Sequence, residues 1–286
     1  MNARLAIPKT YKLYIGGKFP RSESGRSYEV TTPKGAFLAN AAWASRKDLR
    51  DAVVAARGAL PGWAGATAYN RGQVLYRVAE VLEGRAAQFA DEIAASEGLS
   101  AAKATAQVAE AIDAWVWYAG WADKFVQVAG TGNPVAGPYF NLSVPEPTGV
   151  VGVVAPQSDG SLLGLVRVLA PALVAGNTVV LIADETHPLS AISLAEVLAT
   201  SDLPGGVVNV LTGRPAELAP WLASHADVNA LDLAGAGALD WPALEASAAD
   251  TLKRVLQPEP GTPDLSLHRI LALTETKTVW HTKSLL

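Results

Sequence analysis

The sequence contains no cysteine, one methionine and four histidines among its 286 residues. Without cysteine the chain can form no disulfide, no thiolate metal site and no iron–sulfur cluster, and it cannot use a thiol nucleophile. The histidines are scattered without the spacing of metal ligands. We therefore predict no metal site and no thiol chemistry.

Charged residues are also scarce. They make up 17% of the chain, and the net charge is −4. Nucleic-acid-binding surfaces cluster lysine and arginine, so this mild acidic balance argues against a nucleic-acid partner. Half of the residues are hydrophobic, which is enough for a buried core and argues against disorder. The length predicts about two domains, at roughly 150 residues per domain.

Long uninterrupted apolar runs are missing as well. The most apolar stretch, residues 150–182, is broken by Pro156, Gly160, Pro171 and Asn177. This favours a buried strand–helix–strand unit over a membrane-spanning helix. The first nine residues show no apolar segment followed by a cleavage site. We therefore expect a cytoplasmic protein with no membrane partner.

The hydrophobic pattern changes along the chain. Apolar positions at helical spacing from Arg46 to about Ala129 predict several helices, of which the last spans residues 101–128. From Val150 onward, β-branched runs alternate with helical segments and short loops, which predicts an α/β fold with a doubly wound parallel sheet. Residues 241–256 predict one more helix.

Several motifs follow one another in a fixed order. Residues 146–152 read Glu-Pro-Thr-Gly-Val-Val-Gly, and residues 170–181 read Ala-Pro-Ala-Leu-Val-Ala-Gly-Asn-Thr-Val-Val-Leu. Residues 203–213 begin with Leu-Pro-Gly-Gly, and residues 14–19 read Tyr-Ile-Gly-Gly-Lys-Phe. Together these motifs resemble those of the aldehyde dehydrogenase superfamily.

The resemblance implies a domain organisation. That family has a Rossmann-type NAD(P)-binding domain, a catalytic domain with a nucleophilic cysteine, and a small β oligomerisation arm. By resemblance, residues 1–130 and 148–258 form a degenerate NAD(P)-binding domain, and residues 131–147 and 265–286 form the arm. The family's Glu-Leu-Gly-Gly-Lys segment and its cysteine are missing from this sequence. The chain is thus expected to lack the catalytic domain, as after an internal deletion.

The resemblance also assigns cofactor positions. Ile182 replaces the family lysine that holds the adenosine ribose, whereas Glu185 matches the family glutamate and Gly213 a family glycine. In the phosphate-binding turn, Gly235 is retained but the hydroxyl donors are lost. Two interpretations remain open, a vestigial site that still binds NAD and glycines that serve only turn geometry. We expect no cofactor, with NAD as the one candidate.

Two serines are candidates for a substitute nucleophile. Ser158 and Ser161 lie where the family has its oxyanion loop. A serine nucleophile needs an adjacent base, and no histidine lies nearby in sequence. An ordinary polar loop is the alternative, and we predict no catalytic residue.

The predicted arm points to a partner. In relatives the arm extends the sheet of a neighbouring subunit's catalytic domain, and an exposed strand edge is costly unless it is covered. The resemblance thus implies a pseudoenzyme that forms a heteromer with a full-length catalytic aldehyde dehydrogenase, similar to the degenerate module of two-module aldehyde dehydrogenases. The expected oligomerisation residues are Tyr139, Phe140, Leu142, Val144, Leu273, Thr274, Thr276, Thr278 and Trp280. Two alternatives are a stand-alone NAD(P)-binding or sensing module and a residual oxidoreductase.

Overall fold

The computed structural model describes residues 7–157 and 160–283. Its helices are α1 (Arg46–Gly65), α2 (Ala68–Glu83), α3 (Ala86–Glu97), α4 (Ala101–Ala119), α5 (Phe125–Ala129), α6 (Ser161–Val174), α7 (Leu189–Ala199), α8 (Pro215–Ser224), α9 (Trp241–Ala249) and α10 (Leu267–Leu271). Its strands are β1 (Thr10–Tyr11), β2 (Ser27–Thr31), β3 (Phe37–Ala42), β4 (Thr131–Asn133), β5 (Tyr139–Pro147), β6 (Val150–Val154), β7 (Thr178–Ile182), β8 (Val208–Leu211), β9 (Ala230–Asp232), β10 (Arg254–Leu256) and β11 (Thr274–Thr282).

A five-stranded parallel sheet forms the centre of the molecule, in the order β10-β9-β6-β7-β8. Every residue of β6 and β7 is buried, because helices cover both faces of the sheet. One face packs against α6 and α7, backed by α2, α3 and α4, and the other packs against α1 and α8, with α9 beside α8. The predicted doubly wound α/β fold is confirmed.

Two predicted helices are shorter in the structure. The helix predicted over 101–128 ends at Ala119, because the chain turns after Gly120 before α5 begins. The helix predicted over 241–256 ends at Ala249. Leu252 then has a φ of 54°, which no right-handed helix accommodates, and residues 254–256 form β10 instead. A three-residue strand is too short to show a hydrophobic period of its own.

A second sheet, in the order β11-β5-β4, brings together the two segments predicted to form the arm. β5 and β11 pair antiparallel from Pro147 opposite Thr274 to Tyr139 opposite Thr282. β4 pairs only with residues 141–143 of β5. The prolines at the end of β5 are tolerated because that end has no neighbour on the β4 side, and proline cannot donate to a ladder.

The chain between β10 and β11 crosses the carboxyl edge of the parallel sheet. Arg269 of α10 is buried there and is ion-paired with Asp232, at the end of β9, and with Glu259. Asp232 is fully buried, and its Oδ1 accepts the amide of Ala234 at 3.1 Å. Buried charges are tolerated only when they are paired, so the ion pair fixes the crossing segment onto the sheet.

No helix within the described ranges, 7–157 and 160–283, is both long enough and apolar enough to cross a membrane.

The substitution Arg269→Met is expected to lower the free energy of unfolding by about 3–5 kcal/mol, because it leaves the Asp232 carboxylate buried without its partner. Arg254→Met is the matched control. It removes an exposed ion pair with Glu275 and should cost less than about 1 kcal/mol. Urea unfolding measures both, and equal losses in the two variants would contradict this role for the buried pair.

Candidate functional site

Open α/β sheets bind ligands outside the carboxyl ends of their strands, and the three predicted cofactor residues lie along this edge. Glu185 follows β7, Gly213 follows β8 and Gly235 follows β9. Since β6 lies between β9 and β7, the strand end before Gly235 is about two strand spacings, or roughly 10 Å, from the strand end before Glu185.

Glu185 and Gly213 meet at a cavity of about 60 Å³, which Tyr28, Trp43 and Arg214 also line. Nε of Arg214 lies 3.4 Å from Oε1 of Glu185, and its guanidinium stacks over the Trp43 ring at 4.4 Å. The carboxylate that the resemblance assigns to a ribose is therefore paired with a cation of the chain itself.

Backbone conformation and close backbone contacts explain why residues 213 and 235 are glycines. Gly213 has a φ of +133°, and a Cβ there would lie 3.2 Å from the amide nitrogen of Ala44. A Cβ at Gly235 would lie 1.7 Å from the carbonyl oxygen of Ala155, and the Gly235 amide donates to the Val154 carbonyl at 3.0 Å. The backbone by itself therefore requires glycine at both positions.

The helix N-terminus beyond this turn is already capped. Asp240 is the N-cap of α9, and its Oδ1 accepts the amide of Ala243 at 3.3 Å. Pro242, in the first turn, has no N–H to donate. Helix N-termini bind phosphate through free amides and the positive end of the dipole. At α9 the Asp240 carboxylate takes that place.

Ser161 lies at the start of α6, whereas Ser158 lies outside the described residues. The Ser161 hydroxyl donates to Oε1 of Glu97 at 2.6 Å and lies 2.9 Å from the hydroxyl of Ser190. Glu97 also accepts the amides of Gly160 at 3.0 Å and Ser161 at 3.1 Å. Ser161 is thus a buried member of a helix cap, an arrangement that holds α6 in place and offers no exposed nucleophile.

The crossing segment fills the crevice between β6 and β9, where the strand order reverses. Arg167 of α6 donates to the carbonyl of Pro263 at 2.9 Å. Thr262 lies beside Gly160, where a Cβ would come within 3.3 Å of its hydroxyl. Together with the buried Arg269, these contacts place the chain's own side chains where an open sheet would receive its ligand.

The predicted oligomerisation residues fall into two groups. Leu273 and Thr274 are buried at the junction of α10 and β11, so they hold the sheet to the core. The others are half-buried or exposed: Tyr139, Phe140, Leu142, Val144, Thr276, Thr278 and Trp280.

The strand register assigns these exposed side chains to the two faces of the sheet. Phe140, Leu142 and Val144 alternate along one face of β5, and Val279 of β11 lies opposite Leu142. On the other face the rings of Tyr139 and Trp280 meet edge to face at 6.0 Å. β11 ends the strand order, so its outer edge pairs with no described strand. Apolar side chains are therefore exposed on each face, and the outer edge of β11 is open.

A sequence profile of the aldehyde dehydrogenase family matches residues 19–261. This chain belongs to the aldehyde dehydrogenase family. It is 31% identical to the cytosolic 10-formyltetrahydrofolate dehydrogenase of Mus musculus over 264 residues, and this match covers 88% of this chain and 28% of that protein. It is 34% identical to a mitochondrial aldehyde dehydrogenase of Leishmania tarentolae over 250 residues, and this match covers 85% of this chain and 49% of that protein. The chain thus spans half or less of these relatives.

Solved aldehyde dehydrogenases have the same fold. The NAD+ complex of an aldehyde dehydrogenase from Bacillus cereus superposes with a TM-score of 0.80 at 27% identity, over 86% of this chain and 50% of that one. A putative aldehyde dehydrogenase from Burkholderia cenocepacia gives 0.81 at 29% identity, over 87% and 50%. The predicted family membership is confirmed.

Three side chains at the carboxyl edge of this aldehyde dehydrogenase family member were not predicted from the sequence. Asp240 had a local signal, because aspartate followed by a proline in the first turn is typical of a helix start. Arg214 follows Gly213 directly, but nothing local showed that it pairs with Glu185. Arg269 had no local signal, since Asp232 is 37 residues away.

The substitution Gly235→Ala is expected to lower the free energy of unfolding by about 3 kcal/mol or more, because the new methyl group would overlap a backbone carbonyl. Gly237→Ala, two residues on, is the control. Nothing lies within 4 Å of its Cβ position, and the change should stay within about 0.5 kcal/mol. Urea unfolding measures both, and a tolerated alanine at 235 would remove the backbone explanation for that glycine.

Proposed function

We propose that this chain is a non-catalytic aldehyde dehydrogenase homologue that acts as a structural or regulatory subunit, assembled with a full-length catalytic aldehyde dehydrogenase. One observation carries the proposal. The β4–β5–β11 sheet has apolar side chains exposed on both faces and a nine-residue strand whose outer edge pairs with no described strand. Such an edge is a template for pairing with another chain, and a soluble protein normally protects it.

The chemistry of the chain supports a non-catalytic role. It has no cysteine for a thiol nucleophile. The Ser161 hydroxyl is buried in a helix cap with Glu97. Only residues 257–266 connect β10 to α10, and this connection is too short to contain a catalytic domain between the sheet and the arm. The proposal therefore assigns the reaction to the partner subunit.

Three features of the carboxyl edge argue against the alternative of an NAD(P) sensor. Ile182 is fully buried where the family has a lysine, Glu185 is paired with Arg214, and Asp240 caps α9. A dinucleotide would have to break the ion pair and bring its phosphates against a carboxylate. We therefore infer that the chain binds no dinucleotide at this edge.

The exposed face of β5 suggests how the partner would dock. A strand of the partner would pair with the free edge of β11 and extend the sheet, with main-chain hydrogen bonds providing affinity. Phe140, Leu142 and Val144 would then pack against apolar side chains of the partner. Leu142, which is 42% exposed, lies near the middle of this face.

Purification of the tagged chain from its native cell tests the proposal. We expect a stoichiometric complex whose second subunit is a full-length aldehyde dehydrogenase with a catalytic cysteine. Leu142→Lys should weaken the complex by about tenfold or more, since it places a charge in an apolar interface. Val54→Lys is the control, because Val54 is an exposed apolar residue on α1, far from the arm in sequence. A chain that stays monomeric and never co-purifies with an aldehyde dehydrogenase would overturn the proposal.

Two assays of the purified chain alone separate the other functions. Titration with NAD and NADP should show no saturable binding below about 1 mM, which corresponds to an affinity weaker than about 4 kcal/mol. A panel of aldehydes should show no turnover. Micromolar binding would favour the sensor, and turnover would favour a residual oxidoreductase.

A further inference from the structure

A groove of about 570 Å³ runs between α1 and α8. This volume lies within the range of small-molecule sites, about 300–1,000 Å³. None of the predicted cofactor or arm residues lines it. Its charged and aromatic side chains are Arg46, Lys47 and Arg50 of α1, Trp221 of α8, His225 at the C-cap of α8, and the acidic Glu23.

The α1 wall of the groove is cationic, in a chain whose net charge is −4. Arg46 and Arg50 are four residues apart and so lie on the same side of the helix. Two of these cations form ion pairs with exposed acidic residues. Arg50 contacts Asp51 at 3.0 Å, and Lys47 lies 3.6 Å from Glu23. Exposed pairs of this kind are weak and can exchange for another anion.

The α8 wall adds an aromatic face. The guanidinium of Arg46 lies 3.8 Å from the centre of the Trp221 ring, and Trp221 remains 41% exposed. Stacking occupies the planar face of a guanidinium and leaves its N–H edge able to donate to an anion. The groove thus places hydrogen-bond donors beside a flat apolar surface.

His225 provides one more donor. Its Nδ1 accepts the amide of Asp227 at 3.2 Å. Burial lowers the pKa of His225 below its ordinary value despite the opposing charge of Asp227, which favours the neutral ring near pH 7. With Nδ1 accepting, the proton of the neutral ring is on Nε2, which can donate to a ligand.

We propose that this groove binds a small organic anion that carries a planar ring, such as an aryl phosphate or a nucleoside monophosphate. The ring packs against the part of Trp221 that Arg46 leaves exposed, and the anionic group accepts hydrogen bonds from Arg46 and Arg50. Charge-assisted bonds from two guanidinium groups and an aromatic wall together select for a ligand with both features. The site is independent of the arm and of any partner subunit.

Phenyl phosphate is a probe that contains both features. We expect it to shift the imidazole NMR signals of His225 in a saturable manner, whereas His281, on β11, stays unchanged. With only four histidines in the chain, these signals can be assigned individually. Inorganic phosphate and benzyl alcohol, which each carry one of the features, should bind about tenfold more weakly or worse, since each loses at least one favourable contact.

Variants test the assigned residues. The double variant Arg46→Met and Arg50→Met should weaken phenyl phosphate by about tenfold or more. Arg77→Met, which changes an exposed arginine paired with Glu80 on α2, should leave the affinity unchanged. Trp221→Leu should weaken phenyl phosphate but not inorganic phosphate. Unchanged unfolding midpoints show that the variants fold.

Three results would overturn the proposal. The first is no shift of His225 up to about 10 mM phenyl phosphate, at which a millimolar site would be mostly filled. The second is equal affinity of the double variant and the wild type. The third is equal binding of phenyl phosphate and inorganic phosphate, which would show a simple anion site without ring selectivity.

Discussion

The buried ion pair between Asp232 and Arg269 joins the two parts of the molecule. Asp232 ends a strand of the parallel sheet, and Arg269 lies in the short helix before β11. Neither charge can stay buried without the other, so the pair fixes the point at which β11 leaves the core. The same contact holds the crossing segment over the carboxyl edge. One interaction therefore positions both the crossing segment and the β4–β5–β11 sheet.

At the carboxyl edge, the chain's own carboxylates cap two helix N-termini. Helix N-termini attract negative charge from any source, including the chain's own side chains. Here Glu97 caps α6 and Asp240 caps α9, so two positions that could receive a ligand's anionic groups already hold carboxylates. The retained glycines keep their place for a different reason, because β9 and β6 approach too closely at Gly235 for any side chain.

Much of the fold follows from local patterns. The buried runs at 150–154 and 178–182 predicted the central strands, because β-branched runs flanked by helical segments are typical of parallel sheets. β10 was not predicted, because a three-residue segment is too short to show a hydrophobic period and its strand conformation depends on pairing with β9. The arm residues were predicted as one oligomerisation set, yet Leu273 and Thr274 are buried, where the Leu273 amide and the Thr274 hydroxyl donate to carbonyls of α10.

The sequence by itself determined the family, from motifs in a fixed order, and it excluded thiol chemistry, since no folding can supply a cysteine that is missing. Only the tertiary structure decided which retained residues are available to a ligand. Glu185 matches its family position, but a neighbouring strand end brings Arg214 to its carboxylate. Arg269 reaches Asp232 across 37 residues for the same reason. Periodicity and turn residues report local conformation, whereas pairing between distant side chains depends on where the strands end in space.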